Sequence, residues 1–410
     1  MVKTTPFHPR LVELNQTMFW HHWAGYASPN QYQYSITSEY FATRDSAALL
    51  DTSPLFKYRV KGPDATKFLA GIMTRDIRTC AVGKAQYTVW CDDRGYVIED
   101  GVVLRLSEDE YWLTAAEPNL QYFSKLIGRL QVEVSDISEA YGILALQGPH
   151  SLNVLQQLSK APAKLGYFGL TETKIAQKSV LVSRTGYTGD LGYEIWVKTA
   201  DALAVWDAVM KAGSGYNITP IGMTALSMAR IEAALLMIDV DFSSSRYAWV
   251  DAQRETPLEL GLGWMLRNLA KDDRAFIGRR AIEQEIANQT TRWQTVGLEL
   301  DVAMYERLYN DLGLIAPKAD VFEQGTINLY NDDWNSNPQS KWIGYMTSFM
   351  FSPLLKKHIA LGKVPLALTK PGSEVYMELT VIHQSKYVLA RVVPTPFYNP
   401  ARKTASQIKD

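Results

Sequence analysis

The chain is poor in the residues that would commit it to a metal, a disulfide framework or a charged partner. Its 410 residues include only 2 cysteines, Cys80 and Cys91, and 6 histidines. Two thiols cannot build a disulfide scaffold or a zinc site, which fits a reducing compartment and predicts no metal. His21 and His22 are adjacent, so on any regular element they point in different directions, and no carboxylate or cysteine stands at ligand spacing from them. An excess of one charge is also missing, since 42 Lys and Arg against 43 Asp and Glu leave a formal net charge of -1. That balance gives no electrostatic pull toward nucleic acid or an anionic membrane surface. No apolar run approaches the length of a membrane span, and residues 1–6 lack the apolar core of a secretory leader, so the expected location is the cytoplasm. What is abundant is aromatic: 22 Tyr, 13 Phe and 11 Trp. The length predicts two or three domains.

The most informative stretch is Val182–Val197. A short apolar run, Val180 to Val182, leads into Gly186, Gly189 and Gly192 at three-residue spacing, and Tyr193 to Val197 resumes with β-branched and aromatic residues. This predicts strand, turn, strand. The spacing is not a dinucleotide fingerprint, because another strand follows Gly192 and no helix N-terminus is available for a pyrophosphate. Alternation puts Glu194 and Trp196 on one face of the second strand, with Tyr193, Ile195 and Val197 on the other. A carboxylate beside an indole calls for a partner, and an amino-pyrimidine edge suits it because a carboxylate accepts two parallel N–H bonds.

A second acidic site stands upstream. Gln86–Trp90 reads as a strand, Asp92–Gly95 as a polar hairpin turn, and Tyr96–Leu104 as the returning strand carrying Glu99 and Asp100. Neighbouring strand residues face opposite ways, so at most one of the two acids points into a given pocket. Residues 7–36 hold Trp20, Trp23 and Tyr26 among other rings. They read either as an extension packed over a neighbouring domain or as a wall of a substrate pocket. From about residue 290, alternating runs such as Thr295–Leu300 and Tyr376–Val381 with glycine and proline turns predict a small β-barrel. Residues 302–340 are polar and read as a surface loop insertion.

Several of these segments carry a resemblance. Arg184-Thr185-Gly186-Tyr187-Thr188-Gly189 with Gly192-Tyr193-Glu194-Ile195 resembles the signature of the glycine-cleavage T-protein (aminomethyltransferase) family, which includes tetrahydrofolate-dependent demethylases. Leu49-Leu50-Asp51-Thr52-Ser53, Leu144–Pro149, Arg230-Ile231-Glu232-Ala233, Thr256–Trp264 and Ser352–Gly362 are similar to further family segments in the same order. The resemblance implies an α+β, three-lobed, folate-binding fold of the aminomethyltransferase type with a C-terminal antiparallel β-barrel. Residues 1–288 would form the folate-binding catalytic region of two interleaved lobes, and 289–410 the barrel domain. It implies tetrahydrofolate as cofactor, Asp100 as the catalytic carboxylate that stabilises developing positive charge, and Tyr87, Glu194 and Trp264 as folate-site residues, to which strand alternation adds Trp196 beside Glu194. In the family an arginine that binds the folate tail stands four residues before the motif matched at Arg230. Here that position is Leu226, which leaves Arg230 as a candidate cation.

Two activities follow from the resemblance. One is a demethylase taking a methyl group from a small-molecule donor, an onium or methoxy compound, with Trp196, Trp20, Trp23 and Tyr26 as an aromatic enclosure. The other is an aminomethyltransferase acting on an aminomethyl group carried by a partner's lipoyl arm. A non-catalytic folate-binding relative is the third possibility. Leu226, the aromatic N-terminal segment and the long stretch 243–255 favour the demethylase.

Overall fold

The computed structural model describes residues 2–318 and 327–406. Its elements form two large open sheets, a closed barrel and a two-stranded sheet of Phe19–Trp23 with Tyr26–Gln31. The six-stranded sheet runs in the order Leu170–Ile175, Lys178–Ser183, Gly192–Lys198, Tyr141–Gln147, Ala48–Asp51 and Thr219–Pro220, antiparallel except for the last pair. The five-stranded sheet runs Lys84–Cys91, Val97–Arg105, Glu110–Ala115, Phe56–Lys61, Glu133–Asp136. Strand period decides what each face does. Tyr193, Ile195 and Val197 join Leu144, Leu146 and the helices Ser151–Leu158 and Ala202–Gly213 in a core on one face of the first sheet. The other face, with Ile143, Leu181 and Trp196, packs against Ala85, Leu104 and Trp112 of the second sheet. Glu194 shares that inward face with Trp196, and Asp100 shares the facing one with Leu104. The two sheets therefore present Glu194 and Asp100 toward the same space.

The predicted hairpin is present between Lys84–Cys91 and Val97–Arg105. Asp92 closes it, its Oδ1 accepting the backbone N–H of Arg94 and of Tyr96 at 3.0 Å each, an Asx turn that sets the register from which Asp100 follows. The barrel closes as Gln294–Leu300, Lys357–Val364, Trp342–Ser352, Ile327–Tyr330, Glu374–Val381, Gln384–Val393, with every pairing antiparallel. The reading of 302–340 as an insertion loop needs correction. Val302–Asn310 is a helix capped by Asp301, and Ile327–Tyr330 is a barrel strand. The polar residues mark the strand's exposed side and its turns. Residues 319–326 lie outside the described residues.

The helix Met223–Glu232 joins barrel to sheets. Leu226 is buried there among Ala48, Leu50, Met350 and Ile359. After the barrel the chain returns. Tyr398 and Arg402 dock beside Arg44 and Asp190, deep in the first sheet's lobe.

Candidate active site

The three glycines of the 186–192 turn are explained by close approach. A Cβ on Gly186 or Gly192 would stand 2.0 or 2.1 Å from the Oε1 of Gln147. That buried amide sits inside the turn, donating to the carbonyls of Thr185 and Tyr193 and accepting from the Thr188 hydroxyl at 2.9 Å. Gly189 has φ +73, and a Cβ there would lie 2.3 Å from the Cβ of Ala233. The turn is thus wound on a side chain of its own protein and leaves no phosphate cradle.

This winding delivers Glu194. Thr185 donates its hydroxyl to Oε2, and Ser183 reaches the same oxygen at 3.5 Å. No protein donor among the described residues reaches Oε1. Burial raises the affinity of this carboxyl for its proton, against the hydroxyl bonds that lower it. A half-buried acid braced on one oxygen and open on the other is built to accept hydrogen bonds from a ligand.

On the facing sheet the Tyr87 hydroxyl donates to Oδ2 of Asp100 at 2.8 Å. Tyr87 is paired with Val102, so it reaches Asp100 on the diagonal, from the same face. Burial pushes Asp100 up to about 6, and the Tyr87 bond holds it from going higher. Glu99 goes elsewhere. It is fully buried, accepting the backbone N–H of Glu117 at 2.9 Å and of Asp100 at 3.3 Å, and burial holds its carboxyl well above the usual range. Of the acidic pair, Asp100 is the one that stays accessible.

Four expectations require correction. Trp196 does share a face with Glu194, but its ring is 1% exposed and packs 5.5 Å from Trp112 between the sheets, so it is core rather than a wall of a pocket. Trp20 packs against the core on the opposite face of the six-stranded sheet, beside His8. Trp23 and Tyr26 pair across a terminal hairpin, and Tyr26 lies under the Lys3 ammonium in a cleft with Ser53 and Tyr141. Trp20 thus lies on the far side of the sheet from Glu194, and no contact brings Trp23 or Tyr26 to Glu194 among the described residues; the hairpin fits the alternative reading, an extension packed over a neighbouring lobe. Arg230 is fully buried and ion-paired with Asp241, so it is not presented to a ligand tail. Trp264 is 38% exposed, with the Arg75 guanidinium 5.2 Å from its ring centre.

Other residues went unnoticed in the sequence. Asp241 accepts the hydroxyls of Thr347 and Ser348, which a register shift in Trp342–Ser352 turns toward it. The negative charge of Asp241 adds to the raising of the Asp100 carboxyl. Arg402 grips Asp190 through two bonds, 2.7 and 2.8 Å, and Arg184 donates to the carbonyls of Arg402, Lys403 and Ala405. This tail strap backs the loop that holds Glu194. Among the described residues no cluster of three His, Cys, Asp or Glu is placed to hold a metal ion, and no helix is long and apolar enough to cross a membrane.

Comparison with known proteins places this geometry. Residues 7–269 match the GCVT N-terminal domain, and residues 312–399 the glycine cleavage T-protein C-terminal barrel domain. The chain is 32% identical to the aminomethyltransferase of Symbiobacterium thermophilum, over 98% of this chain and 99% of that protein. It is 31% identical to the trimethylamine-oxide aldolase of Ruegeria pomeroyi, over 98% of this chain but 48% of that protein. The structure of aminomethyltransferase T from Bartonella henselae superposes with a TM-score of 0.79 at 24% identity, covering 97% of this chain and 99% of the other, which establishes a shared fold.

Proposed function

The chain belongs to the glycine cleavage T-protein family, whose N-terminal and barrel domains it carries, and from that membership we propose that it is a tetrahydrofolate-dependent enzyme transferring a one-carbon group. The observation that carries this reading is Glu194, braced by Thr185 and Ser183 on one oxygen and open on the other, on a sheet face turned toward Asp100. A reduced pterin fits that open carboxylate, since its amino-pyrimidine edge offers adjacent N–H donors. Tetrahydrofolate, when bound, supplies the nitrogen that carries the one-carbon unit. Glu194 binds and orients, and Tyr87 fixes the rotamer of Asp100. Asp100, ionised above its raised pKa, places a negative charge where positive charge develops on an amine nitrogen, and its free oxygen can take up a proton.

For the donor, the relatives favour an aminomethyl group, since full-length relatives from Symbiobacterium and Listeria are aminomethyltransferases. The demethylase reading loses its aromatic enclosure, because Trp20 lies across the sheet and Trp196 in the core. What still favours a small methylated donor is Leu226, an apolar core residue where the family's tail-binding arginine would stand, and the similarity to a relative named for trimethylamine oxide. One assay separates the two. Purified protein with tetrahydrofolate is offered either an aminomethylated lipoyl carrier or small onium and methoxy compounds, and the folate products are weighed by mass spectrometry. Methylene-tetrahydrofolate with ammonia release is expected from the carrier; methyl-tetrahydrofolate from a small donor alone would establish the demethylase, and no folate product from either would refute the transferase reading.

A further inference from the structure

A folate brings carboxylates on its tail, and the two positions considered for them in the sequence cannot receive them, because residue 226 is leucine and Arg230 is spent on Asp241. We propose that Arg75, propped against the ring of Trp264, is the cation that receives the tail carboxylate of a folate. The inference rests on the transferase reading above. Arg75 lies on the chain running beside the edge strand Lys84–Cys91, where its backbone N–H donates to the Thr88 hydroxyl at 3.2 Å. Its guanidinium donates to the carbonyl of Tyr87 at 3.3 Å and stacks 5.2 Å from the Trp264 ring centre. Tyr87 is the residue whose hydroxyl holds Asp100, so the cation stands one side chain away from the reactive acid.

Arg75 lacks what other wholly or partly buried arginines of the protein have. Arg44, Arg230, Arg274 and Arg402 each close on a carboxylate. Among the described residues no carboxylate stands within ion-pair distance of Arg75, and burial disfavours its charge with only the Cys80 thiol to offset it. A half-buried cation held by one carbonyl and an indole is a fork with donors to spare, the geometry that matches a carboxylate. Arg246, another cation near the acids, faces Glu117 and donates to the carbonyl of Pro118. Trp264 supplies a flat apolar surface beside the fork.

The test titrates tetrahydrofolate, its triglutamate form and a tail-less tetrahydropterin into wild type, Arg75→Met, Arg75→Lys and Arg246→Gln, read by tryptophan fluorescence and calorimetry. Arg75→Met should weaken both folates by about ten- to a hundredfold and leave the tail-less pterin unchanged, with Arg75→Lys between. Folate binding undiminished in Arg75→Met, an equal loss for the tail-less pterin, or a tail-specific loss in Arg246→Gln instead would each overturn the assignment. Wild type that binds neither folate nor pterin overturns the transferase reading itself, whereas wild-type binding with an unaffected Arg75→Met overturns this inference alone.

Discussion

The Tyr87 hydroxyl and the Asp100 carboxylate are joined at 2.8 Å across a diagonal of one hairpin, and that bond sets when the acid is ionised. Burial raises the carboxyl to about 6 and the tyrosine bond pulls it down, because a donated hydrogen bond favours the charged form. If the carboxylate is the working form, kcat/KM rises as pH increases through about 6. Tyr87→Phe removes the lowering contribution, so the midpoint of the pH–rate profile should move upward. An unmoved midpoint would show that another group controls the profile.

Asp100→Asn separates charge from shape. The shifted carboxyl binds its proton more tightly folded than unfolded, so ionising it costs stability as pH rises from its unfolded value through about 6. The amide resembles the protonated form. Thermal unfolding at pH 7 should therefore be unchanged or later, while turnover falls on the order of a hundredfold or more at saturating substrate. Loss of turnover accompanied by loss of fold would remove the electrostatic role.

Glu194→Ala should weaken folate binding by about 1–3 kcal/mol, the usual loss for a charge-assisted pair. Calorimetry with a tail-less pterin isolates this effect from the tail, and an unchanged affinity there would take the carboxylate out of the site.

Gly189→Ala meets both a φ of +73 and the Cβ of Ala233 at 2.3 Å. It should destabilise the protein by more than about 1 kcal/mol, since strain adds to the clash. A Gly215→Ala control, with nothing within 4 Å, should leave the denaturation midpoint nearly unmoved.

Arg402→Ala strips one partner from buried Asp190. Arg402 is more than a third exposed, so the expected loss is about 1–2 kcal/mol rather than the larger figure for a fully buried pair. Because the strap backs the loop that holds Glu194, pterin affinity should fall with it, and full affinity in a folded variant would disconnect strap from site.

Local pattern made much of this readable. The hairpin turn at Asp92, the alternation that puts Glu194 and Trp196 on one face, and the barrel runs all depend on neighbours within a few residues, whereas alternation alone left Glu99 and Asp100 undecided and the resemblance chose Asp100. Depth did not show. Alternation put Trp196 beside Glu194 correctly, but only the second sheet, arriving with Trp112, makes that ring core. Nor does sequence tell which face a distant hairpin covers, so Trp20 was open to both readings. Arg230 looked available because its partner, Asp241, stands 11 positions further on, beyond a turn that only the fold brings back to the helix. The Arg402–Asp190 pair spans 212 positions, and no short-range signal announces it.

That span has a consequence for how the protein is made. A ribosome releases the loop around Asp190 long before it adds Arg402, and the barrel strands are synthesised between the two events. Until then Asp190 lacks its bidentate partner, and Arg184 lacks three of its carbonyl acceptors, from residues 218 to 221 positions further on. The lobe that carries Glu194 can collapse early on its own apolar core, yet its loop is locked only by some of the last described residues to be synthesised. The Glu194 carboxylate is thus among the last parts of the newborn chain to gain its final support.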